Sequence, residues 1–418
     1  MAQVKKQSLV VCLGLLAGFA IAGAPSPGIA AEKKAAPVKA APTPPPAPDF
    51  PAVAIGPARD PAKPNIVVID SGGTLTSRAR DRISYLHYAG GAGSTVHVDK
   101  ILADLYPELG AVANLSVVIM DNPNMGSGAG STHLAAYRAS RTVDAQLARP
   151  DVDGVVITAG TNVLEEYAYF LDLTVQSDKP VVVTGAMHQY GTFTYDAYTN
   201  LFSSIRVAAS GKTTCFGTVV LLNDQFFAAR NVTKTDGFRM DTFEDRHYGA
   251  LGIVNEDHVR PIRAPARVMQ CGTPAWKTPF DLSKIAPEQL AHAEIAVSYT
   301  EASPGAIAGL VAAGARGIVT GGSGPGAVVT LQAEERKKDI EKGVLFVQTT
   351  RTGGEGYYDD GTPGLIGAGD LLAQKARVLL QLGLTFSKDP EQIRKWFNTI
   401  GAAEFDMSAA RKRGQAGG

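Results

Sequence analysis

The chain has 418 residues, long enough for one large domain with a smaller one beside it. Its 45% hydrophobic and 19% charged content is that of a globular protein and excludes a disordered chain. Basic and acidic residues number 40 each, so the formal net charge is zero and nothing marks a nucleic-acid surface.

Lys5 and Lys6 precede an apolar run from Leu9 to Ala22, shorter than a membrane span and shaped like a secretory signal. Small residues follow, and Gly28-Ile29-Ala30-Ala31 offers a cleavage point near Ala31. Residues 1–31 therefore read as a signal peptide, and the mature protein as exported, periplasmic or secreted, with no membrane anchor after cleavage. Loss of Lys5 and Lys6 leaves 38 basic against 40 acidic residues, a near-neutral protein. Only Cys215 and Cys271 remain; in an oxidising compartment they form one disulfide or stay as two buried thiols. Residues 32–64 are alanine and proline with scattered lysines, ten prolines falling between Pro37 and Pro64. This stretch reads as an extended tether outside the fold.

The folded part opens with Asn65-Ile66-Val67-Val68-Ile69, an apolar run with the character of a buried parallel strand. It ends in Asp70-Ser71-Gly72-Gly73-Thr74, which leaves a hydroxyl at the carboxyl end of a sheet, where ligands bind in open α/β folds. Thr74 is the candidate nucleophile. Residues 78–93 carry Tyr85 and Tyr88 and end in a glycine-rich stretch, the pattern of a lid returning over that strand. A short helix over 96–105 ends before Pro107, and a second strand runs from Leu115 to Met120 into the loop Asp121-Asn122-Pro123. Ser131 or Thr132 caps a helix reaching about Leu147. A third strand, 154–158, ends in Ala159-Gly160-Thr161-Asn162, and Asn162 with Glu165 predicts an N-cap for the next helix.

A fourth strand over 180–185 ends in Gly185-Ala186-Met187-His188; a helix over 196–209 and a strand over 218–222 follow. Such alternation predicts a mainly parallel sheet with helices on its faces. Residues 263–290, proline-rich and aperiodic, read as a linker between an α/β domain at 65–262 and a second at 291–410. The second carries strands at 294–298, 317–320 and 344–349 and helices at 306–313, 329–342 and 371–384.

Familiar cofactor signals fail. Gly211-Lys212-Thr213 lacks the first glycine of a phosphate loop, Arg206 standing in its place, and Gly321 to Gly326 lacks the dinucleotide spacing. The seven histidines show no metal-ligand spacing. No cofactor or metal is expected. What remains is two strand-end hydroxyls, Thr74 and Thr161, and Lys234 within Arg230-Asn231-Val232-Thr233-Lys234-Thr235. A threonine hydroxyl becomes a nucleophile when a neighbouring base takes its proton.

Several motifs in one order resemble the bacterial L-asparaginases and glutaminase-asparaginases, particularly the exported kind. They are Gly72-Gly73-Thr74-Leu75, Thr158-Ala159-Gly160-Thr161-Asn162, Gly185-Ala186-Met187, Arg230 to Thr235, Thr278-Pro279-Phe280-Asp281 and Gln374-Lys375-Ala376-Arg377. The resemblance implies a two-domain asparaginase-like α/β fold and hydrolysis of the L-asparagine side-chain amide, with L-glutamine as a further substrate. It also implies an acyl-enzyme on Thr74, assisted by Tyr88 with Tyr85 as the competing tyrosine, and a second pair of Thr161 with Lys234. An acid from a neighbouring subunit is expected, Glu355 or the site of Tyr357, in a homotetramer built as a dimer of dimers. Asn162, Asn122, Gly160 and Ala186 would contact a small-molecule amide.

Three positions depart from the family pattern. Asn162 stands where the family carries an aspartate for the substrate α-ammonium, Ala159 replaces a histidine, and Asn122 and Pro123 replace the serine and glutamine for the α-carboxylate. These changes favour a second reading, an amide without a free α-amine. A third reading is a non-catalytic binding protein on the same fold.

Overall fold

In the computed structural model the described residues are 43–46, 48, 50–91, 93–120 and 132–405. The segment read as a signal peptide, and Asn122 and Pro123, lie outside them. The larger domain is built on one nine-stranded sheet. Its first strands are β1 (Val53–Ile55), β2 (Asn65–Asp70), β3 (Asn114–Ile119), β4 (Gly154–Thr158), β5 (Val181–Thr184), β6 (Thr218–Leu222) and β7 (Gln225–Ala228). β8 (Thr233–Lys234) and β9 (Phe243–Glu244) form a separate ribbon, and β10 (Gly252–Asn255) and β11 (His258–Pro261) close the large sheet. The order is β1-β3-β2-β4-β5-β6-β7-β10-β11. The segment β3-β2-β4-β5-β6 is parallel, as the alternation of strands and helices predicts.

The antiparallel flanks depart from that expectation. After β6 the chain reverses through Asn223 and Asp224, both with positive φ of 51° and 59°, into β7. Two left-handed residues in a row make the turn that matches strand twist, and Asn and Asp tolerate that conformation best after glycine. At the other edge, Val53–Ile55 pairs with Ile55↔Leu115 register against β3. The tether therefore does not extend to residue 64: its carboxyl half supplies an edge strand, and Phe50 and Ala52 pack on the core. The alternation Val-Ala-Ile is enough to extend an existing edge where the ladder is already laid.

The domain's helices are α1 (Val98–Asp104), α2 (Tyr106–Val112), α3 (His133–Leu147), α4 (Leu164–Thr174) and α5 (Ala197–Ala209). Pro107 does not end helical structure; it sits in the first turn of α2, where its missing N–H costs nothing. Thr132 caps α3, accepting from the Ala135 amide at 3.3 Å. Because successive strand residues face opposite sides, Ile66, Val68, Val156 and Val182 pack under α1 and α5, while Val67, Ile69, Val155 and Ile157 pack under α3 and α4. Burial on both faces explains the unbroken apolar runs.

The smaller domain is a parallel four-stranded sheet, β12 (Ala293–Val297), β13 (Gly317–Gly322), β14 (Leu345–Thr350) and β15 (Leu365–Gly367). Around it lie α6 (Gly305–Ala312), α7 (Thr330–Glu341), α8 (Ala373–Phe386) and α9 (Pro390–Phe397). Tyr169, Phe170 and Leu173 of α4 share one apolar cluster with Leu379 and Leu380 of α8, so the two domains are packed together through these helices. The segment 263–290 is not a loose linker. It is a chain of short 3₁₀ turns, tied to the larger domain by Trp276 Nε1 donating to the Cys215 carbonyl at 2.9 Å and by Tyr137 Oη donating to the Ile285 carbonyl at 2.7 Å. Cys215 and Cys271 are joined in a disulfide with Cα atoms 5.6 Å apart, so the pairing alternative holds over the free thiols. Beside it, Arg267 lies 3.8 Å over the Trp276 ring and donates to the Asp172 carboxylate at 3.2 Å. No helix among the described residues is long and apolar enough to cross a membrane.

Candidate active site

The site forms where three neighbouring parallel strands stop. After β2 the backbone turns through Gly72 and Gly73, with φ of 82° and 107°, into a 3₁₀ turn that begins at Thr74. A Cβ on Gly73 would lie 2.8 Å from the Ala159 carbonyl oxygen and 2.9 Å from the Gly160 nitrogen, so only glycine lets the two strand-end loops touch. The Ser71 amide donates to Thr158 Oγ1 at 3.0 Å, tying the same two loops together. On the other side, a Cβ on Gly185 would lie 2.7 Å from the Ala159 carbonyl oxygen and 3.2 Å from Thr161 Cγ2. Loops after β2, β4 and β5 thus form one floor bearing Thr74, Gly160, Thr161 and Ala186, all buried.

Two hydroxyl pairs stand on this floor. Thr74 Oγ1 and Tyr88 Oη share a hydrogen bond of 3.0 Å. Tyr88 lies on the hairpin of residues 77–95, closed by bridges Ser77↔Thr95 and Ala79↔Tyr88. Of the two competing tyrosines, Tyr88 is the one at Thr74; Tyr85 instead stacks on His188 with ring centroids 4.7 Å apart. In the second pair, Lys234 Nζ donates to Thr161 Oγ1 at 3.1 Å. Lys234 is half-buried, and burial pushes its ammonium below the ordinary lysine range, against the opposing pull of Asp236 and Glu165. A lowered pKa raises the share of neutral amine at a given pH, the form able to take a proton.

Lys234 is held from behind. Lys375 of α8 is fully buried and donates to the carbonyls of Ala229 and Val232, which lead into β8. Burial lowers the Lys375 pKa to about 7, with the Glu165 carboxylate acting against that shift. Arg230 ties the same turn to the smaller domain through Asp370 at 2.5 Å. The match of Gln374-Lys375 to a family motif marked this position, but nothing in its local sequence distinguishes a buried lysine from a surface one.

Other expected residues fall differently. Asn162 is not a cap: α4 starts after Val163 without a side-chain cap, and the Asn162 side chain is exposed beside Thr161. Glu165 instead accepts from Gln374 Nε2 at 3.1 Å. Asn122 lies outside the described residues. Glu355 is exposed and accepts from Tyr358 Oη at 3.0 Å; no hydrogen bond links it to Thr74 or Thr161 within the chain. Tyr357 donates to Asp360. Glu355 lines a cleft of about 910 Å³ with Arg230, Tyr248 and Asp370, and neither strand-end threonine lines that cleft. The two hydroxyl pairs stand outside that cleft. Among the described residues no cluster of metal-ligating side chains occurs.

Strand-end hydroxyls paired with a tyrosine and a lysine thus stand on a two-domain α/β scaffold, and the matches that follow make the class of protein an amidohydrolase. Residues 65–267 match the sequence model described as Asparaginase, N-terminal, and residues 292–397 match the Glutaminase/Asparaginase C-terminal domain. The chain is 35% identical over 345 residues to L-asparaginase 2 of Escherichia coli, spanning 81% of this chain and 93% of the relative. It is 34% identical over 341 residues to L-asparaginase 2 of Bacillus subtilis, spanning 80% and 86%. The crystal structure of a probable cytoplasmic L-asparaginase from Campylobacter jejuni superposes with a TM-score of 0.70 at 31% identity, covering 80% of this chain and 99% of that one. The chain belongs to the asparaginase family.

Proposed function

We propose that this protein hydrolyses the side-chain amide of L-asparagine, with L-glutamine as a further substrate, through an acyl-enzyme on Thr74. The observation that carries the reading is the pairing of two strand-end hydroxyls with their bases, Thr74 with Tyr88 at 3.0 Å and Thr161 with Lys234 at 3.1 Å. Relatives named L-asparaginase and glutaminase-asparaginase support the substrate class.

Thr74 Oγ1 attacks the amide carbonyl carbon while its proton passes toward Tyr88. The carbon–nitrogen bond breaks, the nitrogen takes up a proton, and ammonia leaves. Water, deprotonated at the Thr161–Lys234 pair, attacks the ester carbonyl, and the acid departs as Thr74 regains its proton. Gly160 and Ala186 border the bound amide. Glu355 reaches the site from a neighbouring copy of the chain in a homotetramer, a role supported by its exposed place away from its own chain's threonines. Export to the periplasm or medium is supported by the basic-then-apolar leader and by a relative from Haemophilus influenzae named a probable periplasmic L-asparaginase.

One observation favours a second reading. Asn162 is exposed, neutral and not used as a cap, so it offers a substrate α-ammonium no negative charge. An amide whose amine is blocked fits that position better. Ammonia release across L-asparagine, L-glutamine and their N-acetyl forms tests both, with Thr74→Ala as the control. Activity on L-asparagine that vanishes in the variant is expected. Undiminished turnover in Thr74→Ala overturns the mechanism, and preference for N-acetyl amides selects the second reading. Light scattering showing a monomer overturns the tetramer.

A further inference from the structure

The hairpin of residues 77–95 presents a mechanical problem. Its outgoing strand is fastened to the loop after β5: the Tyr190 amide donates to the Ser77 carbonyl at 2.9 Å, the Ala79 amide to the Tyr190 carbonyl at 2.8 Å, and the Phe193 amide to the Arg82 carbonyl at 3.2 Å. Among the described residues its returning strand, which carries Tyr88, pairs by backbone hydrogen bonds with the outgoing one, through Arg80 N–H to His87 at 3.0 Å and Ala89 N–H to Arg78 at 2.8 Å. The tip stands in solvent, Ile83 being 72% and Leu86 55% exposed. Tyr88 itself is 53% exposed, and its hydrogen bond to Thr74 is a single contact with a modest net value.

Among the described residues, the tip meets the body of the protein through two aromatic contacts: on the outgoing side Arg82 lies 6.0 Å over the Phe193 ring, and nearer the returning strand stands the one ring–ring stack. Tyr85 stacks on His188 at 4.7 Å with the rings inclined by 26°. His188 is a rigid platform. Its amide donates to Asp196 Oδ1 at 3.0 Å, its Nδ1 lies 2.8 Å from Thr194 Oγ1, and it is 9% exposed. We propose that the Tyr85–His188 stack is a clasp that holds the returning strand over the floor of the site, making Tyr85 and His188 positioning residues that act through Tyr88. The proposal rests on the reading of Thr74 and Tyr88 as the reacting pair.

An aromatic pair of this geometry shifts a local opening equilibrium about two- to tenfold. The test uses the full chain with Tyr85→Leu, Tyr85→Phe, His188→Leu and the Tyr85→Leu/His188→Leu double variant. Amide hydrogen exchange at Arg80 and Ala89 reads the hairpin without any need for substrate. Each leucine variant should exchange about two- to tenfold faster, the double variant no faster than either, and Tyr85→Phe like the parent. On an amide that the parent hydrolyses, kcat should fall with the closed fraction of the hairpin, by up to that factor, with KM within twofold. Unchanged exchange in Tyr85→Leu, additive effects in the double variant, or faster exchange with kcat intact would each overturn the clasp. A parent inert on every amide overturns the functional reading alone, and exchange then decides the clasp by itself.

Discussion

Replacing Lys234 with methionine separates chemistry from folding. The methionine keeps most of the apolar stem and removes the amine that stands 3.1 Å from Thr161 Oγ1. The stability cost is small, because one half-exposed hydrogen bond contributes about 0.5–1.5 kcal/mol before solvent screening reduces it. The catalytic cost is larger: a positioned general base contributes about 10²–10⁴ in rate, or roughly 3–5 kcal/mol of barrier. The predicted outcome is a fall of two or more orders of magnitude in kcat with little change in melting temperature. pH adds a second signature. The folded pKa of Lys234 lies below its ordinary 10.5, so the neutral amine accumulates as pH rises and activity climbs with it. The same shift means that the unfolded chain binds more protons between the two pKa values, and stability rises with pH across that window. Both slopes should flatten in the variant. The assay is ammonia release at saturating amide from pH 6 to 10, with melting curves at each pH. Retention of kcat within threefold and of the parent's pH profile would refute the role given to Lys234.

Asn162→Asp restores a negative charge at the exposed position beside Thr161, and a hydrogen bond to a charged partner exceeds a neutral one by roughly 0.5–2 kcal/mol. KM for L-asparagine should drop about twofold to thirtyfold by that difference, and an unchanged KM would remove Asn162 from the substrate's α-ammonium. Gly73→Ala forces a side chain onto φ of 107° with its Cβ 2.8 Å from the Ala159 carbonyl. The strain costs about 1–3 kcal/mol, so the variant should melt lower and lose activity; a variant equal to the parent in both would show that the two loops do not need their close approach. Lys375→Met leaves the buried carbonyls of Ala229 and Val232 without their donor. Because burial holds the Lys375 pKa at about 7, well below 10.5, the parent should gain stability from pH 7 toward 10, and the variant should lose that gain in denaturant titrations. An identical pH dependence in both proteins would exclude Lys375 as its source.

Composition and local pattern alone determined the parallel heart of this protein. The strands at Asn65 and Gly154 are apolar on both faces, and such runs persist only where helices cover both sides of a sheet. The hydroxyls at their ends could be named for the same reason: a strand's carboxyl end and a glycine turn are both written in consecutive residues. The turn at Asn223-Asp224 has a local cause too, since those two residues tolerate the left-handed region and separate two apolar runs, but strand–helix alternation by itself predicts a parallel continuation there. Tertiary structure decided the rest. Which tyrosine meets Thr74 depends on where the hairpin docks, and Tyr85 and Tyr88 are only three residues apart on the same loop. Whether Asn162 caps a helix or stands free depends on where the turn after β4 ends, which is set by the packing of Gly73 and Gly185 against Ala159. Lys375 is buried because α8 lies against α4, and its shifted pKa follows from that burial. A pKa belongs to a surrounding dielectric and its charges, and those are assembled from segments more than a hundred residues apart, so no local stretch of chain contains them.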